Sequence, residues 1–560
     1  MSNNRIVVIG GVATGPKAAA RARRLDPNAE IIMIEKGNLL SYAGCGMPYY
    51  IAGDIEDCNE LMCTTAGVVR NSTFFQNVKD IKTFTKTLVE SIDCDKKEIK
   101  VVDLISNESR IIPYDKLVIA TGSTHFRPPI EGSELNRIYT LGHPDDAIAI
   151  QKCATSEDVN SVAVFGGGLI GMEVTEAFFR LGLKVTVVEM IDRLLPKLLD
   201  VEISAFLAKY LKSQGINLRL SEKAVKLEGD ENNNVRRVIT DKGEVDADMI
   251  VTAIGVRPNV ELAKKAGLKI GETGAIWVDE YMRTSDPDIY AGGDCVENTH
   301  LITGKKAYIP LGSTANKHGR IIGNNVTGGS DTFRGVLGTT VFKILDYTVG
   351  CTGLTEKYAK ELGYNVITCL APGPDIAHYY PEYKMIMTKL VVNKDNGRVL
   401  GAQIIGPGEV DKRLDIIVTV ITYGGTVKDI ADLDFGYAPP YANAIDNIAQ
   451  AANIIRNKID GLAKSITPTE VKAKIDNGDD FILLDVRTPA ELQKSKLDDS
   501  RVKHIPLGAL RSKVSELPKD KEIITFCAIS LRGYEAQRIL DGFGFSNVKF
   551  MDGGLVAWTY

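Results

Sequence analysis

Two of the nine cysteines in this 560-residue chain lie where a thiol could do redox or sulfur-transfer chemistry. The first is Cys45, which stands between two glycines in the stretch SYAGCGMPYY, and no cysteine follows it at CxxC spacing. A single thiol can cycle only by forming a mixed disulfide with another thiol or by becoming a sulfenic acid. It must be a thiolate to attack a sulfur atom, so its surroundings decide its reactivity.

The second is Cys527, which directly follows a predicted strand at residues 522–526. We expect a six-residue loop, Cys527 to Arg532, that opens a helix. Backbone N–H groups and the helix N-terminus would then point at the sulfur and lower its pKa. Such a cradle suits a thiolate or an anionic persulfide. Strands alternate with helices over about 95 residues here, which predicts a small α/β unit.

The elements that must position Cys45 begin with RIVVIGGVATGPKAAARARRL. The pattern is a strand at Arg5 to Ile9, a glycine turn, a helix and a second strand that ends in an acid. It is typical of a dinucleotide-binding βαβ unit, although Val12 stands where the motif has its middle glycine. A pyrophosphate would lie on the helix N-terminus and the acid would bind a ribose hydroxyl. The candidate cofactor contacts are Gly10, Gly11, Val12, Ala13, Gly15, Glu35, Lys36 and Ser41.

A second unit of the same kind lies in SVAVFGGGLIGMEVTEAFFRLGLKVTVVEM. Gly166, Gly168 and Gly171 have the full GxGxxG spacing, and the following strand ends in Glu189. A carboxylate there accepts hydrogen bonds from ribose hydroxyls and repels a 2′-phosphate. The next residue is Met190 rather than an arginine, so we expect NADH as the cofactor and NADPH to be disfavoured.

Two dinucleotide folds in one chain suggest one flavin and one nicotinamide cofactor. Two apolar strands end in glycine, in YDKLVIATGS and ADMIVTAIGVRPN. Such strands are typical of segments in which the chain passes from one domain to another. A third segment, TSDPDIYAGGDC, places an acid after a tight glycine pair, where it could meet a ribityl hydroxyl. The candidate contacts from these segments are Thr121, Gly122, Gly255 and Asp294.

The motifs GGVATG, ATG, GGGLIG and GGD occur in this order, and on them the first ~455 residues resemble the flavoprotein pyridine nucleotide–disulfide oxidoreductases. The resemblance implies an α/β protein with two Rossmann-like domains and an α+β dimerisation domain, hence a homodimer. It assigns residues 1–112 and 250–325 to an FAD-binding domain, 125–245 to an NAD(H)-binding domain and 330–455 to the dimer interface. The glycines beside Cys45 would let the backbone approach the flavin.

The pattern around Cys45 resembles the single-cysteine branch, which holds coenzyme A–disulfide reductases, persulfide reductases, and NADH oxidases and peroxidases. Peroxidases carry a histidine in the first glycine loop, where this chain has Ala13 and Thr14, so we expect sulfur–sulfur bonds rather than peroxide as the substrate. A tyrosine can protonate a departing thiolate. By resemblance, Tyr437 of YAPPY and Tyr379 of YYP take this role across the dimer, and Tyr441 contacts substrate.

Lys17, Arg21 and Arg24 are spaced to share one face of the first helix. In coenzyme A–disulfide reductases these positions line the channel for coenzyme A, whose phosphates suit arginine. They are therefore candidate substrate contacts, with Ser41, and coenzyme A is a candidate bound ligand. A plain solvated basic face is the alternative. Downstream, the segment CTTAGVVRNSTFFQ offers only Arg70 where those enzymes carry more basic residues.

The C-terminal segment, residues 465–560, resembles a single-domain rhodanese through LLDVRTPAE, C-x-x-x-x-R and MDGGLVAW. The resemblance implies that Cys527 carries a sulfane sulfur as a persulfide and that Arg532 favours the anion. Asp485 and Arg487 are expected to be structural.

Composition argues against several other classes of protein. The 67 basic and 72 acidic residues give a net charge of −5, so we expect no nucleic-acid partner. We find no apolar run that would span a bilayer and no signal peptide, so we expect no membrane association and a cytoplasmic location. Nine scattered cysteines argue against a disulfide framework, and six histidines that do not cluster with cysteine predict no metal site.

The two parts together predict an FAD-dependent NADH oxidoreductase that reduces persulfide, polysulfide or CoA disulfide through Cys45, coupled to a sulfur-handling Cys527. In this hypothesis electrons pass from NADH through FAD to a Cys45 mixed disulfide. One alternative is an NADH oxidase with Cys45 as a sulfenic acid. Another is a sulfurtransferase whose flavoprotein part recycles the carrier, and a third is a redox-sensing protein with little turnover.

Overall fold

The computed structural model describes residues 4–560. It divides into two compact units. The first comprises the chain up to Met190 together with Glu222–Val336, and the second comprises Ile191–Ser221 together with Leu337–Tyr560. Within the described residues, no helix has both the length and the apolar composition needed to cross a bilayer.

A parallel five-stranded sheet carries the first glycine turn. The central strand has Val8 opposite Met33 on one side and Val118 on the other. Its residues are apolar because both faces of a parallel sheet are covered. The predicted strand at Arg5 to Ile9 is confirmed. In spatial order the strands are Ile289–Ala291, Lys116–Ile119, Arg5–Ile9, Glu30–Ile34 and Lys82–Phe84.

The helix Thr14–Leu25 follows the first turn and is rich in alanine, the best helix former. Its buried residues include Ala18, Ala19 and Ala22, whose small side chains allow close packing. The second glycine turn has the same surroundings, with the helix Leu169–Arg180 linking two parallel strands. The parallel strands around that turn are Lys184–Glu189, Ser161–Phe165, Met249–Thr252 and Ile138–Thr140.

Shorter elements complete the first unit. The remaining strands are Thr87–Asp93, Glu98–Asp103, Ser109–Pro113, Ser123–His125, Ala224–Gly229, Val235–Thr240, Gly243–Asp246, Val256–Pro258, Asn298–Thr299 and Lys306–Ala307. The remaining α-helices are Met47–Ile51, Ser72–Lys79, Pro144–Ala154, Glu261–Lys265 and Gly312–Asn325.

The second unit contains an antiparallel sheet and a parallel one. The antiparallel sheet has the order Thr340–Ile344, Tyr347–Gly353, Val399–Gly406, Met385–Asn393 and Val366–Pro374. The parallel sheet has the order Ser465–Ile466, Val548–Met551, Glu522–Phe526, Phe481–Asp485 and Val502–His504. A further strand is Asn217–Leu220. The α-helices are Val201–Ser213, Glu356–Glu361, Asp411–Thr422, Val427–Asp432, Asn447–Ile459, Pro468–Asp476, Pro489–Lys494, Leu507–Lys513 and Leu531–Gly542.

Two helices in the C-terminal part begin with the same capping arrangement. Thr467 and Glu470 cap one helix, and Thr488 and Glu491 cap the next. In each pair the threonine oxygen accepts the N–H of the glutamate, and the glutamate accepts the N–H of the threonine. A proline follows each threonine at a position where a missing N–H costs nothing.

Lys389, a residue of the antiparallel sheet, has only 1% of its side chain exposed and is surrounded by three carboxylates. Its Nζ lies 2.7 Å from Glu356, 2.8 Å from Glu202 and 3.4 Å from Asp200. Burial alone would lower the pKa of Lys389, but these charges raise it above its usual value. Asp200 and Glu202 are distant from the sheet in sequence, so the cluster attaches their segment to the sheet within this unit.

Replacing Lys389 with Met would leave these carboxylates in a largely buried place without a counter-charge. We expect the free energy of unfolding of the second unit to fall by about 3–5 kcal/mol, measured by urea denaturation followed by circular dichroism. Lys360→Met is the matched control, because Lys360 is exposed and also contacts Glu356, at 2.6 Å. Equal destabilisation by both variants would show that the buried charge is not what holds this segment.

Candidate functional site

In the first glycine turn, two backbone segments lie so close together that there is no room for a side chain. Gly10 has φ +107°, and a Cβ on it would lie 2.1 Å from the carbonyl oxygen of Ala120. A Cβ on Gly15 would lie 1.9 Å from the carbonyl oxygen of Gly10. No other residue fits either position, and the turn leads directly into the N-terminus of the first helix. This is the geometry that binds a pyrophosphate.

Glu35 is the first residue after the second strand of this sheet. Its carboxylate accepts the N–H of Gly11 and the N–H of Gly37, each at 2.7 Å. These bonds fix the acid at the edge of the glycine turn, where the sequence predicted a ribose contact.

The second glycine turn repeats this construction. Gly166 has φ +102°, and a Cβ on Gly171 would lie 2.0 Å from the carbonyl oxygen of Gly166. Glu189 ends its strand and accepts the N–H of Gly167 at 2.7 Å. A Cβ on Gly168 would meet no atom within 4 Å, so the face of this turn is open.

Asp294 follows the glycine pair that the sequence singled out, and Gly293 has φ +82°. Burial raises the pKa of Asp294 above its usual value, and Ser123 Oγ donates to its carboxylate at 3.2 Å. Tyr308 fixes the backbone by donating to the carbonyl oxygen of Asp294 at 2.9 Å. A partly buried carboxylate with one polar partner is suited to accept a hydrogen bond from a hydroxyl group of a ligand.

His318 supports the same loop, and no motif in the sequence predicted it. The N–H of Gly293 donates to its Nδ1 at 3.1 Å, so Nε2 carries the proton. Burial lowers the pKa of His318 to about 3, which keeps the ring neutral. The ring packs edge-on against Phe333 with centroids 4.4 Å apart.

Cys45 lies in a single 3₁₀ turn, Gly44–Gly46, and is exposed to solvent. The helix Gly312–Asn325 begins beside it, because a Cβ on Gly312 would lie 3.7 Å from the Cys45 sulfur. A helix N-terminus favours a thiolate. The protein around the sulfur opposes this by partial desolvation, and together with the charges of Glu173 and Asp294 it raises the pKa of Cys45.

Glu173 is a second residue that the sequence analysis missed. It lies on the helix Leu169–Arg180, two residues after the last glycine of the second turn, and this fixed offset is the signal that could have found it. Burial, with the charge of Glu176, raises the pKa of Glu173 to about 7. The same two carboxylates, after burial, raise the pKa of Tyr49. Glu173 therefore exchanges its proton near neutral pH within the electrostatic surroundings of Cys45.

Only part of the basic face of the first helix is available to a ligand. Lys17 and Arg24 are exposed, but Arg21 donates from Nε to Asn324 at 2.5 Å. A Cβ on Gly323 would lie 2.6 Å from the Cβ of Arg21, so this part of the face packs on the helix Gly312–Asn325. The structure thus leaves two of the three predicted basic groups available to a ligand.

The tyrosines predicted by resemblance lie in the second unit. The hydroxyl oxygens of Tyr379 and Tyr437 are 3.2 Å apart, although the residues are 58 positions apart in the sequence. This hydrogen bond raises the pKa of Tyr379. Both side chains and that of Tyr441 are exposed, and Lys412 Nζ donates to the carbonyl oxygen of Tyr441 at 2.9 Å.

Cys527 is buried directly after the strand Glu522–Phe526, as the sequence predicted. The expected six-residue loop is wrong, because the helix already begins at Leu531 and includes Arg532. The loop is shorter than expected because Ser530 has φ +84°, and this backbone turn leads directly into the helix at Leu531. Arg532 binds Glu491 through two nitrogens, at 2.6 and 2.7 Å.

The buried pair of Asp485 and Arg487 agrees with a structural role. Arg487 binds the Asp485 carboxylate at 2.7 Å and donates to the carbonyl oxygen of Ser495 at 3.0 Å. Within residues 4–560 no group of His, Cys, Asp and Glu is arranged to hold a metal ion.

Comparison with known proteins identifies three matching segments. Residues 4–319 match the family described as pyridine nucleotide-disulphide oxidoreductase, residues 339–449 its dimerisation domain, and residues 467–560 the rhodanese-like domain.

Similar proteins are known for the whole chain and for its larger part. An NAD-dependent persulfide reductase from A. fulgidus is 45% identical, with a TM-score of 0.94 over 99% of this chain and 100% of that chain. The reduced CoADR-RHD of Bacillus anthracis is 36% identical, with a TM-score of 0.92 over 100% of this chain and 98% of that chain. A CoA-dependent NAD(P)H sulfur oxidoreductase from Pyrococcus furiosus is 39% identical over 81% of this chain and 100% of its own length.

The family match covers more than half of the chain, and the described geometry has both of the glycine turns that such a fold needs. The chain therefore belongs to the pyridine nucleotide-disulphide oxidoreductases, enzymes that use a flavin and a nicotinamide dinucleotide.

Proposed function

We propose that this enzyme uses NADH and FAD to reduce the sulfur–sulfur bond of a persulfide, a polysulfide or CoA disulfide at Cys45. The observation that carries the proposal is the setting of Cys45, an exposed thiol beside a helix N-terminus in a chain whose nine cysteines are all free. With no disulfide partner in the protein, its sulfur is available to a small-molecule partner.

The residues of the first unit fit the two dinucleotides. The turn around Gly10 and the partly buried carboxylate of Asp294 suit FAD, and the open turn before Glu189 suits the nicotinamide dinucleotide. Glu189 favours NADH, since its charge would repel the 2′-phosphate of NADPH. When bound, this pair of cofactors supplies the two electrons that cleave a disulfide.

The names of the similar proteins support the substrate class. One is called a persulfide reductase and another a CoA-dependent sulfur oxidoreductase, and both likenesses extend over at least four-fifths of this chain. In the proposed exchange the Cys45 thiolate attacks CoA disulfide, forms Cys45–S–S–CoA and releases one CoA thiolate. Lys17 and Arg24 are the exposed cations that would bind the phosphates of coenzyme A.

The tyrosine pair supplies the proton for the departing thiolate in this proposal. Tyr379 and Tyr437 share a hydrogen bond, so a proton lost by one is replaced through the other. The dimerisation domain supports a homodimer, which is the assembly in which tyrosines of one subunit would serve the thiol of its partner. The cytoplasmic location predicted from the sequence stays a prediction.

Glu173 is one of the charges that act on Cys45, where it adds to the effect of desolvation. Its carboxylate ionises near pH 7 and then disfavours a second negative charge on the nearby sulfur. Below that pH the acid is neutral and opposes the thiolate less. Glu173 is thus a group that can take up a proton while Cys45 remains anionic.

The substrate proposal predicts the order of the steady-state rates. With NADH, kcat/KM for CoA persulfide or CoA disulfide should exceed kcat/KM for oxygen, and NADPH should be the poorer donor. Cys45→Ser should lower the rate with the sulfur substrates by more than about a hundredfold, because the nucleophile is lost. Cys63→Ser is the control, since Cys63 is half-buried and its thiol already bonds the carbonyl oxygen of Asn59. A highest kcat/KM with oxygen would overturn the proposal in favour of an oxidase.

The role of Glu173 predicts a shift in the pH dependence of Cys45. Removing the carboxylate charge lowers the pKa of the thiol, so Glu173→Gln should move the pH profile of iodoacetamide alkylation of Cys45 to lower pH. Peptide mass spectrometry measures this at equal flavin loading. Glu157→Gln removes an exposed carboxylate instead and should leave the profile in place. An unchanged profile, or a shift to higher pH, in Glu173→Gln would contradict the role.

A further inference from the structure

Arg532, in the first turn of the helix that follows Cys527, is held by Glu491. Between Cys527 and the first turn of the following helix the chain reads CAISLR, so Arg532 is the one formal charge of this segment. The charges of both Glu491 and Cys527 act on the guanidinium. The contact with Glu491 is bidentate, at 2.6 and 2.7 Å, which is the strongest arrangement an arginine makes with a carboxylate.

The carboxylate is held in place as well as charged. The side chain of Glu491 also accepts the N–H and the hydroxyl of Thr488, at 3.0 and 2.9 Å. The Arg532 hydrogen bond lowers the pKa of Glu491 to about 2, so the acid is ionised at neutral pH. An incoming anion would therefore have to compete with a fixed carboxylate for the guanidinium.

We propose that Glu491, by occupying Arg532, makes the Cys527 site selective for organic persulfides and against thiosulfate. Thiosulfate is a dianion whose sulfonate needs a free cation close to the reacting sulfur. A persulfide donor has no charged group next to the reacting sulfur other than the sulfur itself. Leu531 is 59% exposed at the start of the helix and offers an apolar contact for the carbon chain of such a donor.

The transfer is balanced without an oxidant. The Cys527 thiolate attacks the outer sulfur of R–S–SH, the new bond joins the Cys527 sulfur to that sulfur, and the S–S bond of the donor breaks. The products are Cys527–S–S⁻ and R–SH, so the proton passes to the departing thiol. The shared guanidinium of Arg532 then faces the anionic persulfide that is formed.

This inference extends the proposed function, but its test needs neither NADH nor Cys45 turnover. The full-length flavin-loaded enzyme, without NADH, is mixed with glutathione persulfide or with thiosulfate. The rate at which Cys527 gains one sulfur is followed by peptide mass spectrometry. Wild-type enzyme should be loaded at least about tenfold faster by the persulfide, as the loss of one charge-assisted contact implies. Similar rates with the two donors would overturn the proposal whatever the variants do.

Glu491→Gln should raise the thiosulfate rate about tenfold and change the persulfide rate much less. Glutamine at this position still closes the capping box, so the helix start is retained. Glu470→Gln is the matched control, because Glu470 makes the same capping contacts with Thr467 at the start of a different helix. The proposal fails if Glu491→Gln raises the rates of sulfur loading from both donors equally. It also fails if Glu491→Gln alters the thiosulfate rate no more than Glu470→Gln does. Failure here with intact NADH-dependent reduction would leave the function of Cys45 standing.

Discussion

The charge of Cys45 is the constraint on which the rest of this enzyme depends. A thiol attacks sulfur only as an anion, and here desolvation and two nearby carboxylates oppose that anion. The helix that starts at Gly312 is the opposing influence, since its N-terminal amides favour negative charge at the adjacent sulfur. The glycine turns and the buried His318 hold the loops of this unit in place, including the loop that carries Asp294.

Cys45 and Cys527 lie in different surroundings. Cys45 is exposed among acids and a helix end, which suits a thiol that exchanges with a diffusing partner. Cys527 is buried at the end of a strand and faces a guanidinium shared with Glu491, which suits a thiol that keeps a sulfane sulfur. In the proposed function the first arrangement controls when the Cys45 thiolate forms, and the second controls which donor reacts with Cys527. Under this proposal one chain accepts sulfur at Cys527 and reduces it at Cys45, so the two reactions do not compete for one thiol.

The sequence predicted the parts that depend on local pattern. The strands around Arg5–Ile9 and Ser161–Phe165, and the acids that follow each unit, are set by short-range periodicity and by turns that admit only glycine. The parts it did not predict depend on distant contacts. Arg21 is engaged by Asn324, 303 residues away, and Arg532 by Glu491, 41 residues away. The start of the last helix at Leu531 follows from the backbone of Ser530, for which the sequence carries no glycine signal.

The central claim is that the partner of Cys45 is an external thiol held in a mixed disulfide. Peptide mass spectrometry of NADH-reduced enzyme, mixed with CoA disulfide and then quenched in acid, tests this directly. We expect one coenzyme A attached to Cys45, absent from Cys63 and Cys153, and removed by further NADH. Consumption of NADH while Cys45 stays unmodified, or is found only as a sulfenic acid, would contradict it.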